Sequence, residues 1–131
     1  MNQVHRQVTR QTARRKKLGL ALGGGGVRGL AHVGVIRALE REGIAIDCIA
    51  GSSVGSLVGA AYAAGFRGDR LVELALSTHW RDLATFVWPN NGFVSFERME
   101  RTLAERFGDR SFSELDTPFA AIAADLSLIH I

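Results

Sequence analysis

The chain has 131 residues, of which 47% are hydrophobic, so it suits one modest domain and differs from a disordered chain. Its single cysteine, Cys48, excludes an internal disulfide framework and favours a reducing, cytoplasmic setting, and no apolar run approaches the roughly 18 residues of a membrane span. The formal charge of +3 arises in residues 1–17, which hold six Lys or Arg and no acid, whereas the remainder holds ten basic and thirteen acidic residues.

The basic segment at residues 1–16 is polar and lacks an apolar stripe, which is typical of a solvated, disordered arm. Two alternatives stay open for it: a peripheral contact with an anionic membrane surface, and a transit peptide. No nucleic-acid partner is expected. We therefore predict a leader at residues 1–16 and a folded domain at residues 17–131.

The first half of this domain alternates between predicted strands and helices. Short apolar runs at residues 18–22 and 44–50 predict buried strands. Between them, residues 29–42 carry apolar side chains at helical spacing. Residues 56–64 are small and apolar, as suits a helix packed closely on a sheet, and residues 70–77 predict another helix.

The second half contains fewer clear elements. Residues 85–96 are predicted to be irregular around the turn signal Pro89-Asn90-Asn91-Gly92. Residues 96–107 form an amphipathic helical pattern, and residues 119–124 predict a third strand. This order of strands and helices indicates an α/β fold with a parallel sheet.

The first glycine-rich motif, Gly24-Gly25-Gly26-Val27-Arg28-Gly29, follows the first predicted strand and opens a helix. Glycines permit a sharp turn and let a ligand approach the backbone amides. The start of a helix adds unpaired N–H groups and the positive end of its dipole. The motif therefore predicts a loop that stabilises negative charge.

The same loop also fits G-x-G-x-x-G, so a pyrophosphate cradle in a nucleotide-binding α/β domain is an alternative. Asp47 lies near the distance at which an acid would contact a ribose. However, it precedes the apolar residues Cys48-Ile49-Ala50 and so begins the second strand instead of closing it. That position disfavours a ribose contact.

The second motif, Gly51-Ser52-Ser53-Val54-Gly55, follows the second strand and precedes a helix of small residues. This is G-x-S-x-G in the strand–turn–helix context of a nucleophile elbow, with Ser53 at its centre. The flanking glycines Gly51 and Gly55 relieve crowding in the sharp turn. Together the motifs predict acyl-transfer chemistry, in which Ser53 attacks an ester and the amides of Gly25 and Gly26 stabilise the oxyanion.

The pair of motifs G-G-G-x-R-G and G-x-S-x-G resembles the patatin-like phospholipase family, and the stretch from Arg28 to Val35 is similar to its bacterial members. The resemblance covers roughly residues 17–126. It implies a three-layer α/β fold with a mainly parallel sheet, of which this chain would be the N-terminal portion. It also implies hydrolysis of lipid acyl esters without a metal or organic cofactor. Gly24, Gly25 and Gly26 would form the oxyanion loop, supported by Arg28 and Gly29.

The family pairs its serine with an aspartate in a D-G-G or D-G-A motif, and no Asp in this sequence precedes a glycine. We therefore expect the base aspartate beyond residue 131, and residues 1–131 alone to be inactive. A non-catalytic regulatory protein of the same fold is an alternative. Arg28 is expected to form a structural salt bridge or to favour anionic substrates.

Other side chains are interpreted mainly as structural. His32 could act as a base, but a histidine hydrogen-bonded against the glycine loop is the preferred interpretation. Cys48 is expected to be an inert core thiol. Trp88 and its aromatic neighbours form either an apolar lip for acyl chains or a local core.

Overall fold

The computed structural model describes residues 15–78, 85–86, 94–95 and 97–123. Within them, three strands form a parallel sheet in the order β1, β2, β5. These strands span Gly19–Leu22, Cys48–Ser52 and Phe119–Ile122, respectively. A separate antiparallel pair consists of β3 (Thr85–Phe86) and β4 (Val94–Ser95). The α/β fold with a parallel sheet is thus present as the sequence predicts.

Four α-helices lie within the described residues: α1 (Leu30–Arg41), α2 (Val54–Ala63), α3 (Gly68–Ser77) and α4 (Glu97–Phe107). Each matches a predicted helix to within two residues at either end. Two short 3-10 turns, Gly26–Gly29 and Phe112–Glu114, precede α1 and β5. No helix in these described ranges is both long and apolar enough to cross a membrane.

The core lies between one face of the sheet and the helices. Leu22 and Ile49 point to that face and are 4% and 3% exposed, and helix α2 packs directly against all three strands. The side chains of Val33, Ile36 and Leu71 extend the core into α1 and α3. Alternation of side chains along each strand puts the other residues on the opposite face of the sheet.

Cys48 is a correction to the sequence analysis. It lies on that opposite face and is exposed, so it is not a core thiol. The apolar run was predicted to be one buried strand from residue 44, whereas β2 begins only at Cys48, and alternation leaves just Ile49 and Gly51 buried within it. Ile44 is 45% exposed in the connection before the strand.

The hairpin of β3 and β4 is a second correction, because residues 85–96 were predicted to be irregular. The turn signal Pro89-Asn90-Asn91-Gly92 falls between the two paired strands and lies outside the described residues, as does Trp88. Two-residue strands are too short for periodicity to reveal them in the sequence.

Polar contacts tie together the edge of the sheet at which the strands begin. Arg15 donates a pair of hydrogen bonds to Asp47, at 2.8 and 2.7 Å, and the amide of Leu18 donates to the same carboxylate. The guanidinium of Arg67 stacks on Tyr62 and donates to the hydroxyl of buried Thr117. The two glycine motifs lie at the opposite edge of the sheet, where the strands end.

Candidate active site

Ser53 occupies the turn between β2 and α2 in an unusual backbone conformation. Its φ of 52° and ψ of −128° make it the one non-glycine residue of the described ranges with positive φ. Such a conformation costs on the order of 1–3 kcal/mol and is typical of functional sites. The turn exposes the Ser53 side chain, while its carbonyl accepts hydrogen bonds from the amides of Ser56 and Leu57. The strand–turn–helix context predicted from the sequence is present.

The glycines on either side of this turn stand where no side chain fits. A Cβ atom added at Gly51 would lie 2.5 Å from the carbonyl oxygen of Gly55. One added at Gly55 would lie 2.2 Å from the carbonyl oxygen of Leu22, at the end of the neighbouring strand. The G-x-S-x-G spacing therefore follows from the close approach of α2 to both strands.

The glycine-rich loop meets the Ser53 turn at the carboxyl edge of the sheet. Strands β1 and β2 are parallel neighbours with Leu22 opposite Gly51, so their following loops leave the sheet side by side. A Cβ atom added at Gly24 would lie 3.3 Å from Cβ and 3.9 Å from Oγ of Ser53. The absence of a side chain at Gly24 thus keeps space open beside the serine hydroxyl.

The loop then enters its 3-10 turn through two glycines with positive φ, Gly25 at 147° and Gly26 at 56°. The amide of Arg28 donates to the carbonyl of Gly25 at 3.2 Å and closes the turn. Amides at the start of a helical turn have no partner within it, which makes those of Gly25 and Gly26 available to an incoming oxygen atom. In the described part of the chain, neither amide donates a hydrogen bond to a backbone carbonyl of another segment or to a side chain.

Gly29 anchors this loop on α2. A Cβ atom added there would lie 2.4 Å from both γ carbons of Val54, the residue that follows Ser53. The contact places the first turn of α1 directly against the first turn of α2. The sequence does not predict this pairing, because no periodic pattern links a loop glycine to a residue in another element.

His32 is hydrogen-bonded to the loop, which is the interpretation preferred from the sequence. Its Nε2 atom lies 2.9 Å from the carbonyl oxygen of Gly23. Since a carbonyl only accepts, Nε2 carries the proton and donates it. The contact holds the loop to α1 and occupies one of the two ring nitrogens.

Arg28 projects from the loop, and its side chain is exposed. Within the described residues its guanidinium forms no ion pair, so the predicted structural salt bridge is not found there. The positive charge of Arg28 therefore lies on the glycine loop itself, with Arg28 Cβ 3.6 Å from a Cβ atom added at Gly25.

The described aspartates that flank strands lie at the opposite edge of the sheet. Asp47 precedes β2, and its contacts with Arg15 and the Leu18 amide hold the pKa of its carboxyl below the ordinary value. It therefore cannot reach a ribose at the glycine loop, which argues against the nucleotide-binding alternative. Asp116 precedes β5 and pairs with Arg110 at 3.0 Å. Asp82 and Asp125 lie outside the described residues.

Comparisons with known proteins point to one family. A sequence profile of patatin-like phospholipase matches residues 20–129. Lysophospholipase NTE1 of Candida glabrata is 42% identical over 98 residues, which cover 70% of this chain and 6% of that protein. The patatin-like phospholipase domain-containing protein ZK370.4 of Caenorhabditis elegans is 36% identical over 117 residues, or 84% of this chain and 9% of that protein.

A lysophospholipase NTE1 of Pyricularia oryzae is 34% identical over 118 residues, which cover 86% of this chain and 8% of that protein. The chain thus spans less than a tenth of the length of each of these three relatives. The profile, by contrast, extends over most of the chain and includes both glycine motifs. Together with the meeting of those motifs at one edge of a parallel sheet, this match shows that the chain belongs to the patatin-like phospholipase family.

Proposed function

We propose that the protein is a serine-dependent lipid acyl hydrolase with Ser53 as its nucleophile. The observation that carries the proposal is the strained, exposed turn at Ser53, which contacts the glycine loop through Gly24. Names of relatives such as lysophospholipase NTE1 add support for a lipid ester as substrate. The exposed Ser53 hydroxyl faces no side chain at Gly24, where an added Cβ atom would lie 3.9 Å from Oγ.

In the proposed reaction, Ser53 Oγ attacks the ester carbonyl carbon and loses its proton to a base. The carbonyl oxygen becomes an oxyanion that accepts hydrogen bonds from the amides of Gly25 and Gly26. Each such donor is typically worth roughly 10²–10³ in rate. The alcohol leaves with a proton from the base, and water then releases the acyl group from Ser53.

The base is proposed to be an aspartate outside residues 1–131, as the family resemblance implies. The positions of Asp47 and Asp116 support this proposal. Both carboxylates form ion pairs at the edge of the sheet away from Ser53, so neither is placed to accept its proton. His32 is a poorer candidate, since its Nε2 is engaged by Gly23. Arg28 is proposed to favour anionic lipids, a role that fits its exposed guanidinium.

Labelling with a fluorophosphonate probe tests the nucleophile in the full-length protein. We expect the probe to modify Ser53 and the Ser53→Ala variant to lose both labelling and hydrolysis of a nitrophenyl ester. The matched control is Ser52→Ala, which removes the adjacent hydroxyl at the end of β2 and should leave labelling intact. Ser53→Ala removes an exposed hydroxyl and Ser52→Ala a half-buried one, and neither adds volume, so both variants should keep the fold.

Retention of most activity in Ser53→Ala would refute the nucleophile assignment. If the wild-type protein unfolds cooperatively, and is therefore folded, but is not labelled at all, a non-catalytic regulatory protein of this fold would be favoured instead. A saturable, Ser53-independent affinity for a nucleotide would revive the phosphate-cradle alternative.

A further inference from the structure

We infer that His32 is a positioning residue that sets the direction of the backbone amides in the oxyanion loop. This inference rests on the proposed function and assigns the side chain that holds its glycine loop in place. His32 lies in the first turn of α1, and its Nε2 atom is 2.9 Å from the carbonyl oxygen of Gly23. Gly23 directly follows β1, so the hydrogen bond holds the loop at the point where it leaves the sheet.

The peptide unit that joins Gly23 to Gly24 has few other restraints, since a glycine at each end leaves it free to rotate. Within the described part of the chain, no backbone amide from a loop or turn donates to its carbonyl. Gly55 of α2 packs against the same oxygen, because a Cβ atom added there would lie 2.6 Å from it. The acceptor is a backbone group and the space at Gly23 is open, so a side chain at that position leaves the bond from His32 intact.

A fixed carbonyl also fixes the amide on the other side of the same peptide unit. The unit is planar and trans, so the N–H of Gly24 points opposite to the C=O of Gly23. That carbonyl is directed toward α1, and the Gly24 amide is therefore directed away from α1. Gly24 borders the nucleophile, because a Cβ atom added there would lie 3.3 Å from Cβ of Ser53. Rotation of this unit would also displace the two amides that follow it in the loop.

A positioning role for His32 requires only an N–H donor at the place of Nε2, whereas a general base must accept a proton. Glutamine supplies such a donor, because its side-chain nitrogen is the same number of bonds from Cα as Nε2 of histidine. The nitrogen of asparagine is one bond closer and does not reach as far. Neither amide side chain can act as a base at neutral pH. The two substitutions therefore differ in reach and share their chemistry.

Hydrolysis of a nitrophenyl ester by His32→Asn and His32→Gln variants of the full-length protein tests this assignment. We expect His32→Asn to lower kcat by about 10–100-fold, with a smaller change in KM, because misplaced amides stabilise the transition state less. His32→Gln should restore most of that loss. His32→Leu fills similar space without a donor and should behave like His32→Asn, which keeps the test valid if the latter fails to fold. Fluorophosphonate labelling of Ser53 is measured in parallel.

A thionoester with the same acyl chain gives a readout that a general loss of structure would not move. Its sulfur atom is larger than oxygen and accepts hydrogen bonds more weakly, so the thionoester gains less from the oxyanion amides. The wild-type protein should therefore prefer the oxygen ester. This preference should shrink in His32→Asn and His32→Leu and return in His32→Gln. The ratio of the two kcat/KM values cancels differences in the active fraction between variants.

The outcomes separate this inference from the proposed function. Labelling of Ser53 together with equal behaviour of His32→Gln and His32→Asn, in kcat and in ester preference, would overturn the positioning role alone. If both were as inactive as Ser53→Ala, His32 would be identified as the base instead. Absence of Ser53 labelling in the wild-type protein would overturn both proposals. A loss in His32→Asn that His32→Gln restores, with a parallel change in ester preference, would support the assignment.

Discussion

At the scale of single residues, the loop glycines differ in what a side chain would disturb. Gly25 has a φ of 147°, which L residues rarely adopt, although a Cβ atom there would meet only Arg28 Cβ, at 3.6 Å. The cost of a substitution is therefore conformational, and relaxation of the backbone would move the amide. Gly23, two residues earlier, has no atom within 4 Å of an added Cβ and no positive φ.

We therefore expect Gly25→Ala to lower kcat by about 10²–10³, with a smaller effect on KM, because the amides act mainly on the charge that develops in the transition state. Gly23→Ala is the matched control and should keep kcat within a few fold. Steady-state kinetics on a nitrophenyl ester measure both constants. An unchanged kcat with a raised KM in Gly25→Ala would contradict the oxyanion role.

At the scale of secondary-structure elements, alanine substitutions at two helix glycines are expected to change stability in opposite directions. Gly34 lies within α1 with open space around it, whereas an added Cβ at Gly59 of α2 would lie 2.8 Å from Phe119 and 2.9 Å from Ile49. The first glycine only lowers helix propensity. The second permits α2 to lie close to strands β2 and β5.

Gly34→Ala should raise the free energy of unfolding by about 0.5–1 kcal/mol, since alanine restricts the unfolded chain and favours the helix. Gly59→Ala should lower it by about 1–3 kcal/mol through overpacking. Denaturant unfolding of both variants, measured beside the wild type, gives the two changes. A destabilised Gly34→Ala protein would show that α1 packs against something beyond its described neighbours.

At the scale of the whole molecule, Asp47 joins the segment before β1 to the start of β2. The pKa of its carboxyl is lowered first by the hydrogen bonds from Arg15 and then by the Leu18 amide. A lowered pKa means that the folded state favours the charged carboxylate. This contribution to stability is therefore present above the ordinary carboxyl pKa of about 4 and is lost as the pH falls through the lowered value.

Asp47→Asn should accordingly lower Tm at neutral pH, and the difference from wild type should shrink as the pH falls below about 4. Asp109→Asn is the matched control, because Asp109 is exposed and has no ion pair among the described residues. Thermal unfolding followed across this pH range makes the comparison. A constant difference at every pH would mean that the Asp47 effect does not depend on its ionisation.

Residues 1–131 expressed alone are expected to be catalytically inactive. Serine is a weak nucleophile without a neighbouring base, and the described aspartates that flank strands lie at the wrong edge of the sheet. We expect hydrolysis of a short ester no faster than that of the Ser53→Ala version of the same segment. Turnover that depends on Ser53 would identify a base within these residues, and His32→Gln would then be the next variant to assay.

The sequence by itself was sufficient to predict the α/β order of elements, the four described helices and the positions of both glycine motifs between strand and helix. Helical spacing in residues 97–107 and the apolar runs of the parallel strands indicate the type of each element, and turn chemistry marks where each ends. The motif pair also indicated the family that the profile confirms. The roles of Ser53 and the glycine loop stay predictions, because chemistry is tested only by reaction.

Only the tertiary structure decided which faces and edges those elements present. Cys48 belongs to an apolar run, yet the alternation of β2 turns its side chain away from the helices and leaves it exposed. Contacts between distant residues, such as Gly29 with Val54 or Arg15 with Asp47, leave no periodic signal in the sequence. The apolar cavity lined by residues of all four described helices likewise depends on how those helices pack, since local patterns fix each helix and its apolar face but not the space between helices.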